Sequence, residues 1–205
     1  MIKHIWFDFS ETIATINRER HNKLRYDSYG KVTDKPVNPE LIQEFQELSA
    51  KYPNNNSAFF RSLGMLASFW SDQVNSVNPT ELYRLKDQDI PEVFNKLSKI
   101  VPISIFSNIN LEKILPVFQI DLKLITHILS GKMVKEPKPA LDGFYKIVEL
   151  SQLLPEEILY IGDDVRKDIL PAKKVGLKTG LIWSSSDQAD YNFKNFREIL
   201  NLFTK

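Results

Sequence analysis

The chain has 205 residues, of which 42% are hydrophobic and 26% are charged, so it can bury a core as one domain, or as one core with a modest insertion. Its 27 lysines and arginines nearly balance its 26 aspartates and glutamates, which argues against a dedicated nucleic-acid or membrane-surface binder. It has no cysteine and only 3 histidines, which excludes disulfides and thiol nucleophiles and argues against a histidine-rich metal site. Any chemistry must therefore use carboxylates, hydroxyls or lysines, and a hard metal ion is a further candidate.

Apolar runs alternate with helical patterns along most of the chain. Short runs typical of buried parallel strands lie at residues 2–7, 102–106, 124–129, 158–161 and 179–183. Helical spacing of apolar residues predicts helices at residues 90–100, 111–118, 140–153, 168–175 and 193–203. Together they predict an α/β fold, a doubly wound parallel sheet covered by helices on both faces.

Residues 14–88 do not follow this alternation. They lack a strong strand pattern, and helices are predicted at residues 39–51 and 57–77. We therefore expect a helical insertion directly after the first strand, with a core made of residues 1–13 and 89–205. Over residues 18–35 the insertion carries six basic and three acidic residues, the pattern of a solvated face, which would also attract an anionic substrate.

The sequence also bears on location. The acidic residue Asp8 comes before a signal-peptide apolar region could form. No stretch approaches the roughly 20 apolar residues that a membrane helix needs. We therefore expect a soluble cytoplasmic protein with neither a membrane nor a nucleic-acid partner.

Several polar residues directly follow the predicted strands, where open parallel sheets bind their ligands. They comprise an acid, hydroxyls, a lysine that precedes a long helix, and an acidic cluster: Asp8, Ser10, Glu11, Thr12, Ser107, Asn108, Lys138, Asp163, Asp164 and Asp168. Phosphoryl transfer requires these groups, namely a carboxylate nucleophile, ligands for a hard cation, and donors for the oxygens of the transferred group. The pattern therefore favours phosphoryl chemistry.

Four segments resemble, in order, the four motifs of the haloacid dehalogenase (HAD) superfamily. The segment FDFSETI resembles the first motif, D-x-D-G-T, and FSN resembles the second, a strand that ends in Ser or Thr. The pair Lys138-Pro139 resembles the third, although Lys135 is a rival with poorer spacing to Phe144. The segment GDDVRKD resembles the fourth, G-D-x-x-x-x-D. The insertion at residues 14–88 is similar to the helical cap that this superfamily places between motifs one and two.

The resemblance implies a role for each matching residue. Asp8 would be the nucleophile that forms an aspartyl-phosphate, and Lys138 would neutralise charge on Asp8 and on the phosphoryl group. Mg²⁺ would be held by Asp8, the Ser10 carbonyl and Asp163, with its waters ordered by Asp164 or Asp168. The donors to the phosphoryl oxygens would be Thr12, Ser107 and Asn108.

One departure from the family pattern changes this expectation. The phosphatases of this family carry a second aspartate two residues after the nucleophile as general acid, but here that residue is Ser10, and Glu11 replaces the usual glycine. General acid catalysis typically contributes about 10²–10⁴-fold, and a hydroxyl is a poor proton donor at neutral pH.

Four interpretations of this departure stay open. The first is Mg²⁺-dependent hydrolysis of a small phosphorylated metabolite through Asp8, limited to good leaving groups or using Glu11 as a displaced acid. The second is a dehalogenase- or phosphonatase-like enzyme, since those branches also lack the second aspartate. The third is a binding protein that holds a phosphorylated ligand or a partner without hydrolysis. The fourth is a structural role. We favour the first.

Overall fold

The computed structural model describes residues 1–53 and 55–203, and these form eight β-strands in two sheets. In chain order the strands are β1 (His4–Phe7), β2 (Ala14–Ile16), β3 (Tyr83–Leu85), β4 (Ile103–Ser107), β5 (Ile125–Ser130), β6 (Ile158–Gly162), β7 (Lys178–Ile182) and β8 (Tyr191–Phe193). Six of them form the central sheet in the order β5-β4-β1-β6-β7-β8, with every neighbouring pair parallel. The other two, β2 and β3, pair antiparallel.

Eight α-helices are present in the described part of the chain. They are α1 (Arg18–Thr33), α2 (Pro39–Ser49), α3 (Asn56–Ser62), α4 (Phe69–Asn75), α5 (Pro79–Leu82), α6 (Ile90–Leu97), α7 (Asp142–Ser151) and α8 (Leu170–Lys174). A π-helical turn at Val165–Ile169 precedes α8, and short 3₁₀ helices occupy Leu115–Phe118, Leu122–Leu124, Gly131–Met133, Pro155–Glu157 and Phe196–Leu202. None of the helices described is long and apolar enough to cross a membrane.

The central sheet buries both of its faces, because side chains alternate along each strand. On one face Phe7 of β1 contacts Phe94 of α6 and Phe196 at ring-centroid distances of 4.9 and 5.7 Å. On the other face Trp6 belongs to a separate cluster with Phe106 of β4 and residues of α7 and α8. Helices therefore cover both faces, and the predicted doubly wound parallel sheet is confirmed.

Helices α1 to α5 lie between β2 and β3, and we call residues 17–82 the helical segment. The core cluster that contains Phe7 continues into this segment through buried aromatic residues, including Phe45, Phe59, Phe60 and Trp70. Helix α2 begins at Pro39 because the side chain of Asn38 accepts a hydrogen bond from the Leu41 amide at 2.9 Å. The division into a core of residues 1–13 and 89–205 and a cap of residues 14–88 stays a prediction, and residues 54, 204 and 205 of those ranges lie outside the described part.

Some elements were predicted wrongly, and others were not predicted. The single helix predicted at residues 57–77 is two helices, α3 and α4, separated by Gly64 with a φ of +83°. Helix α1 was missed because it is mostly polar and buries only Ser28, Tyr29 and Gly30 completely. Strands β2, β3 and β8 were missed because each has only three residues, too few for a periodic pattern.

Three predicted helices are also differently built. The one predicted at residues 111–118 is a 3₁₀ helix at Leu115–Phe118 only. The one predicted at residues 193–203 begins as β8 and continues as a 3₁₀ helix from Phe196 to Leu202. The one predicted at residues 168–175 begins earlier, as the π-helical turn.

The close contact between α7 and β4 gives a test of the packing. A Cβ atom added to Gly143 would lie 2.0 Å from Cζ of Phe106, which is buried in the sheet. We expect Gly143→Ala to lower the free energy of unfolding by about 1–3 kcal/mol, because overpacking outweighs the helix propensity gained. Urea denaturation would measure this. Tyr145→Ala, at an exposed position of the same helix, is the control, and an equal loss in both variants would contradict the packing argument.

Candidate active site

The strand order brings three sequence-distant loops to one point. Strand β1 lies between β4 and β6, and all three are parallel, so the residues after their carboxyl ends are neighbours. Asp8 follows β1, and its amide donates a hydrogen bond to the Ile161 carbonyl of β6 at 2.8 Å. Ser107 ends β4, and Asp163 follows β6. The predicted site residues are thereby assembled at the carboxyl edge of the sheet.

Three carboxylates converge at this edge. Asp8, Asp163 and Asp168 each place an oxygen within 4.8 Å of the others, and Asp8 and Asp168 are buried. Such oxygens are the ligands that a hard divalent cation would prefer. The donor set therefore fits Mg²⁺. The Asp164 carboxylate lies outside this cluster and caps the following turn by accepting from the amides of Arg166 and Lys167.

Lys138 is the cation of the cluster. Its ammonium group donates hydrogen bonds to Asp8 Oδ1 and, at 3.0 Å, to Asp168 Oδ1, and the residue is buried. Burial lowers the pKa of Lys138, but the charges of Asp168 and Asp8 and their hydrogen bonds outweigh it and raise that pKa above the usual lysine range. Lys135 is exposed, and its backbone carbonyl accepts a hydrogen bond from Arg61. Of the two lysines considered, Lys138 is the one at the carboxylates.

Tyr160 is a member of the cluster that the sequence analysis missed. Its hydroxyl accepts from Lys138 Nζ at 2.9 Å and donates to Asp168 Oδ1 at 3.1 Å. Burial, and then the charges of Asp168 and Asp8, raise the pKa of this phenol well above its usual value, so it stays a donor. The available signal was a tyrosine inside the buried strand β6, whose hydroxyl needs a partner.

The remaining predicted residues surround this cluster. The Thr12 hydroxyl lies between Asp8 Oδ2, at 3.1 Å, and Asp163 Oδ1, at 3.2 Å. The Ser107 hydroxyl accepts from the amide of Ile109 at 3.3 Å. Asn108 accepts from the Lys138 amide at 3.0 Å, so it orients the lysine loop. Ser107 and Asn108 line the cleft over the cluster, whereas Thr12 is fully buried beneath it.

The helical segment also holds the lysine loop. Asn55 donates to the Lys138 carbonyl at 2.8 Å. Arg61 of α3 donates to the carbonyls of Lys135 and Gly131 at 2.7 and 2.9 Å. Neither residue was predicted to belong to the site, because the local pattern around α3 does not indicate partners 70 to 83 residues away.

The turn after Asp8 is built around Glu11. Its φ is +62°, a left-handed conformation that a glycine adopts more readily. Its carboxylate accepts from the Ile16 amide at 3.1 Å and lies 3.4 Å from Lys86 Nζ, which also donates to the Glu11 carbonyl at 2.7 Å. These contacts stabilise the unusual turn. Ser10 is half-buried and lines the cleft next to Asp8.

A cleft of about 510 Å³ connects this edge with the helical segment. The core contributes the acidic cluster with Lys138, Ser107 and Asn108, and the helical segment contributes residues of α1, α3 and α4. This volume suits a small metabolite. The cleft, the three carboxylates and one lysine together form a site able to bind a hard cation with a phosphoryl-type anion.

Comparisons with known proteins agree with the fold and the site. The family model described as haloacid dehalogenase-like hydrolase matches residues 5–182. The chain therefore belongs to the haloacid dehalogenase-like hydrolase family, and the resemblance predicted from its motifs is confirmed. Comparison with curated proteins gives no match.

Solved structures show the same architecture. A HAD phosphatase from Thermococcus onnurineus has 18% identity and a TM-score of 0.73, with 98% of each chain covered. A 2-haloacid dehalogenase from Pseudomonas syringae pv. Tomato DC3000 has 15% identity and a TM-score of 0.67, with 100% of each chain covered. The protein YfnB from Bacillus subtilis, in a structure bound to magnesium, has 14% identity and a TM-score of 0.64, covering 100% of this chain and 99% of that chain. At these identities the likeness shows the fold alone.

The crowding of the carboxylates predicts a pH dependence of stability. Burial and the charges of Asp8 and Asp168 raise the pKa of Asp163 to about 7, and burial and Asp8 raise the pKa of Asp168 to about 6. Folded-state pKa values above the unfolded ones mean that the stability gained from protonation is present at low pH. It is lost as the pH rises through about 6–7.

We therefore expect Asp163→Asn to be more stable than the wild type at pH 8 in EDTA, by an amount on the order of 2 kcal/mol. This difference should shrink as the pH falls towards 5. Urea denaturation at each pH would measure it. Asp187→Asn, at an exposed position, controls for the loss of a carboxylate. A difference for Asp163→Asn that does not change with pH would contradict the crowding argument.

Proposed function

We propose that this protein is a Mg²⁺-dependent phosphohydrolase that acts on a small phosphorylated metabolite through an aspartyl-phosphate on Asp8. The observation that carries the proposal is the convergence of Asp8, Asp163 and Asp168 on one point of the cleft, with Lys138 bonded to two of them. A carboxylate nucleophile needs its negative charge balanced before it can approach an anionic substrate. The lysine and the cation ligands supply that balance.

Each step of the reaction assigns a role to a residue of the chain. The Asp8 carboxylate attacks phosphorus, and the bond from phosphorus to the leaving oxygen breaks as the aspartyl-phosphate forms. Lys138 and the donors at Ser107 and Asn108 stabilise the charge on the phosphoryl oxygens. Water then attacks phosphorus, which releases the Asp8 carboxylate and dihydrogen phosphate.

Several oxygen atoms of the site are candidates to hold the cation. Asp8, Asp163 and the Ser10 carbonyl would hold Mg²⁺, and Asp168 or Asp164 would order its waters. Bound there, the ion would supply Lewis-acid neutralisation of the phosphoryl oxygens. In the structure, Asp168 is bonded to Lys138 and Tyr160, which suits a positioning role better than direct ligation.

The site lacks an effective proton donor, and this lack limits the class of substrate that it could hydrolyse. Ser10 stands where a general acid is expected, and its hydroxyl donates poorly at neutral pH. The Glu11 carboxylate is held by the Ile16 amide and Lys86, which argues against Glu11 as a displaced acid. We therefore propose substrates whose leaving group needs no proton, such as acyl or aryl phosphates.

We also propose that residues 14–88 form a cap over the cleft. Support comes from Asn55 and Arg61, which reach from the helical segment to the loop of Lys138. A cap joined to the catalytic lysine would exclude water when substrate binds. The alternative of a non-hydrolysing phospho-ligand binder is favoured by one observation, the lack of an available acid at positions 10 and 11.

The reaction class can be tested with phosphates that differ in their leaving group. With Mg²⁺ we expect turnover of acetyl phosphate and of an aryl phosphate, and at least 10²-fold slower turnover of an alkyl phosphate, because only the alkyl alcohol requires protonation. Asp8→Asn and EDTA should each abolish turnover, as measured by phosphate release. Asp187→Asn is the surface control. Turnover retained in Asp8→Asn, or halide release from a 2-haloacid without metal, would contradict the proposal.

A second variant addresses the missing acid. Ser10→Asp should raise turnover of the alkyl phosphate by about 10²–10³-fold and change turnover of acetyl phosphate much less, because only the former needs a proton. Initial rates with Mg²⁺ would measure the two effects, and Ser10→Asn, which has similar size but no acid, is the matched control. If the wild type hydrolyses none of these phosphates and Ser10→Asp hydrolyses them all, the binding alternative is correct.

A further inference from the structure

The part of the cleft that the helical segment lines carries a cationic side chain without an acidic partner among the described residues. Arg25, on α1, lines the cleft, and its Nε is buried without a hydrogen-bond partner. Its Nη1 donates to Asn22 at 3.1 Å, and its guanidinium carbon lies 4.9 Å from the centroid of the Phe45 ring. No carboxylate among the described residues forms an ion pair with it. The guanidinium therefore has hydrogen-bond donors and a positive charge that no described residue satisfies.

Such an arrangement is unfavourable in the absence of a ligand. A partly buried cation loses hydration, and an arginine is normally buried with a carboxylate or phosphate that compensates. Stacking on Phe45 offsets part of this cost but leaves the charge uncompensated. Burial lowers the pKa of Arg25, the effect expected of a desolvated cation without an acid beside it.

The neighbours of Arg25 do not supply the missing anion. His21 is packed edge-on against Trp70 at a centroid distance of 5.3 Å, and burial and then Arg25 lower the pKa of His21 to about 4, so it is neutral at pH 7. Arg18, at the beginning of α1, adds a second positive charge to the same part of the cleft. The part of the cleft lined by the helical segment is therefore cationic and partly aromatic, whereas the part lined by the core carries the three carboxylates and Lys138.

We infer that the substrate carries a second anionic group, a carboxylate or a phosphate, which binds Arg25 while its phosphoryl group lies at Asp8. This inference rests on the proposed function and names its substrate class, a small phosphorylated acid. The planar guanidinium pairs with carboxylate or phosphate oxygens through two parallel hydrogen bonds. A cleft of about 510 Å³ holds one such molecule between the two parts of its lining.

The test compares two ligands that differ only in the second charge. The substrates are 4-carboxyphenyl phosphate and its uncharged carboxamide, both aryl phosphates that suit a site without a general acid. The matching benzylphosphonates, which have no cleavable ester, measure binding without turnover. We expect the wild type to prefer the carboxylate at least tenfold, in kcat/KM with Mg²⁺ and in Kd by isothermal titration calorimetry.

Variants assign the preference to Arg25. In Arg25→Gln the preference should fall to within twofold, and in Arg25→Lys, which keeps the charge but not the planar fork, it should fall at least threefold. Lys31→Gln, at an exposed position of the same helix outside the cleft, is the matched control and should keep the full preference. Circular dichroism would show that each variant is folded. If Arg25→Gln does not fold, Arg25→Lys carries the test.

The outcomes separate this inference from the proposed function. Hydrolysis of both phosphates without a preference, or a full preference retained in a folded Arg25 variant, overturns the inference and leaves the hydrolase intact. The second result would mean that Arg25 only packs against Phe45. An Arg25-dependent preference in phosphonate binding without any hydrolysis overturns the hydrolase and supports the inference. Repeating the titration with 1,4-xylylenebisphosphonate, which carries a second phosphonate in place of the carboxylate and has no cleavable ester, distinguishes a phosphate-type group from a carboxylate as the second group.

Discussion

The site depends on one buried electrostatic balance, the ammonium group of Lys138 against the carboxylates of Asp8 and Asp168. Two acids and a lysine are all nearly excluded from solvent, and a buried carboxylate without a partner would be strongly destabilising. The lysine compensates two of the three acids, and Tyr160 completes the contacts of Asp168. Asp163 has no such cation bonded to it among the described residues, and burial together with the charges of Asp8 and Asp168 raises its pKa to about 7. A divalent cation bound here would offset that repulsion.

This balance requires that Lys138, which lies in a loop outside the central sheet, be held next to the carboxylates. Its loop is held on one side by Asn108, at the end of β4, and on the other by Asn55 from the helical segment. Gly162 allows the Asp168 side chain to lie close to the backbone of β6, because a Cβ atom at position 162 would lie 2.5 Å from that side chain. Hydrogen bonds therefore connect the helical segment to the lysine loop and to the acidic cluster, and a movement of the segment would reach Lys138 through Asn55 and Arg61.

The replacement of the usual aspartate and glycine of the first motif by Ser10 and Glu11 changes the structure of the turn as well as its chemistry. Glu11 adopts a left-handed conformation although it is not a glycine. The conformation is stabilised because the Ile16 amide binds the Glu11 carboxylate and Lys86 binds the Glu11 carbonyl. The same contacts withdraw its carboxylate from proton transfer. The carboxylate that stabilises the turn is therefore the one that would otherwise be the substitute acid. Under the proposed function, the shape of the turn after Asp8 would thus limit the leaving groups of the substrate. The unpaired Arg25 in the cleft limits that class further, to molecules with a second negative charge.

The sequence alone determined the parallel α/β core and the residues after its strands, because buried strands and amphipathic helices leave periodic patterns and because the carboxyl ends of parallel strands meet at one edge. It also determined that Asp8 and Asp163 belong to one set of motifs. Only the tertiary structure decided between Lys138 and Lys135, added Tyr160, Asn55 and Arg25 to the site, and separated Asp164 from the carboxylate cluster. Those choices depend on contacts between residues tens of positions apart, on which way a side chain turns and on which charge lacks a partner, and none of these leaves a local pattern in the chain.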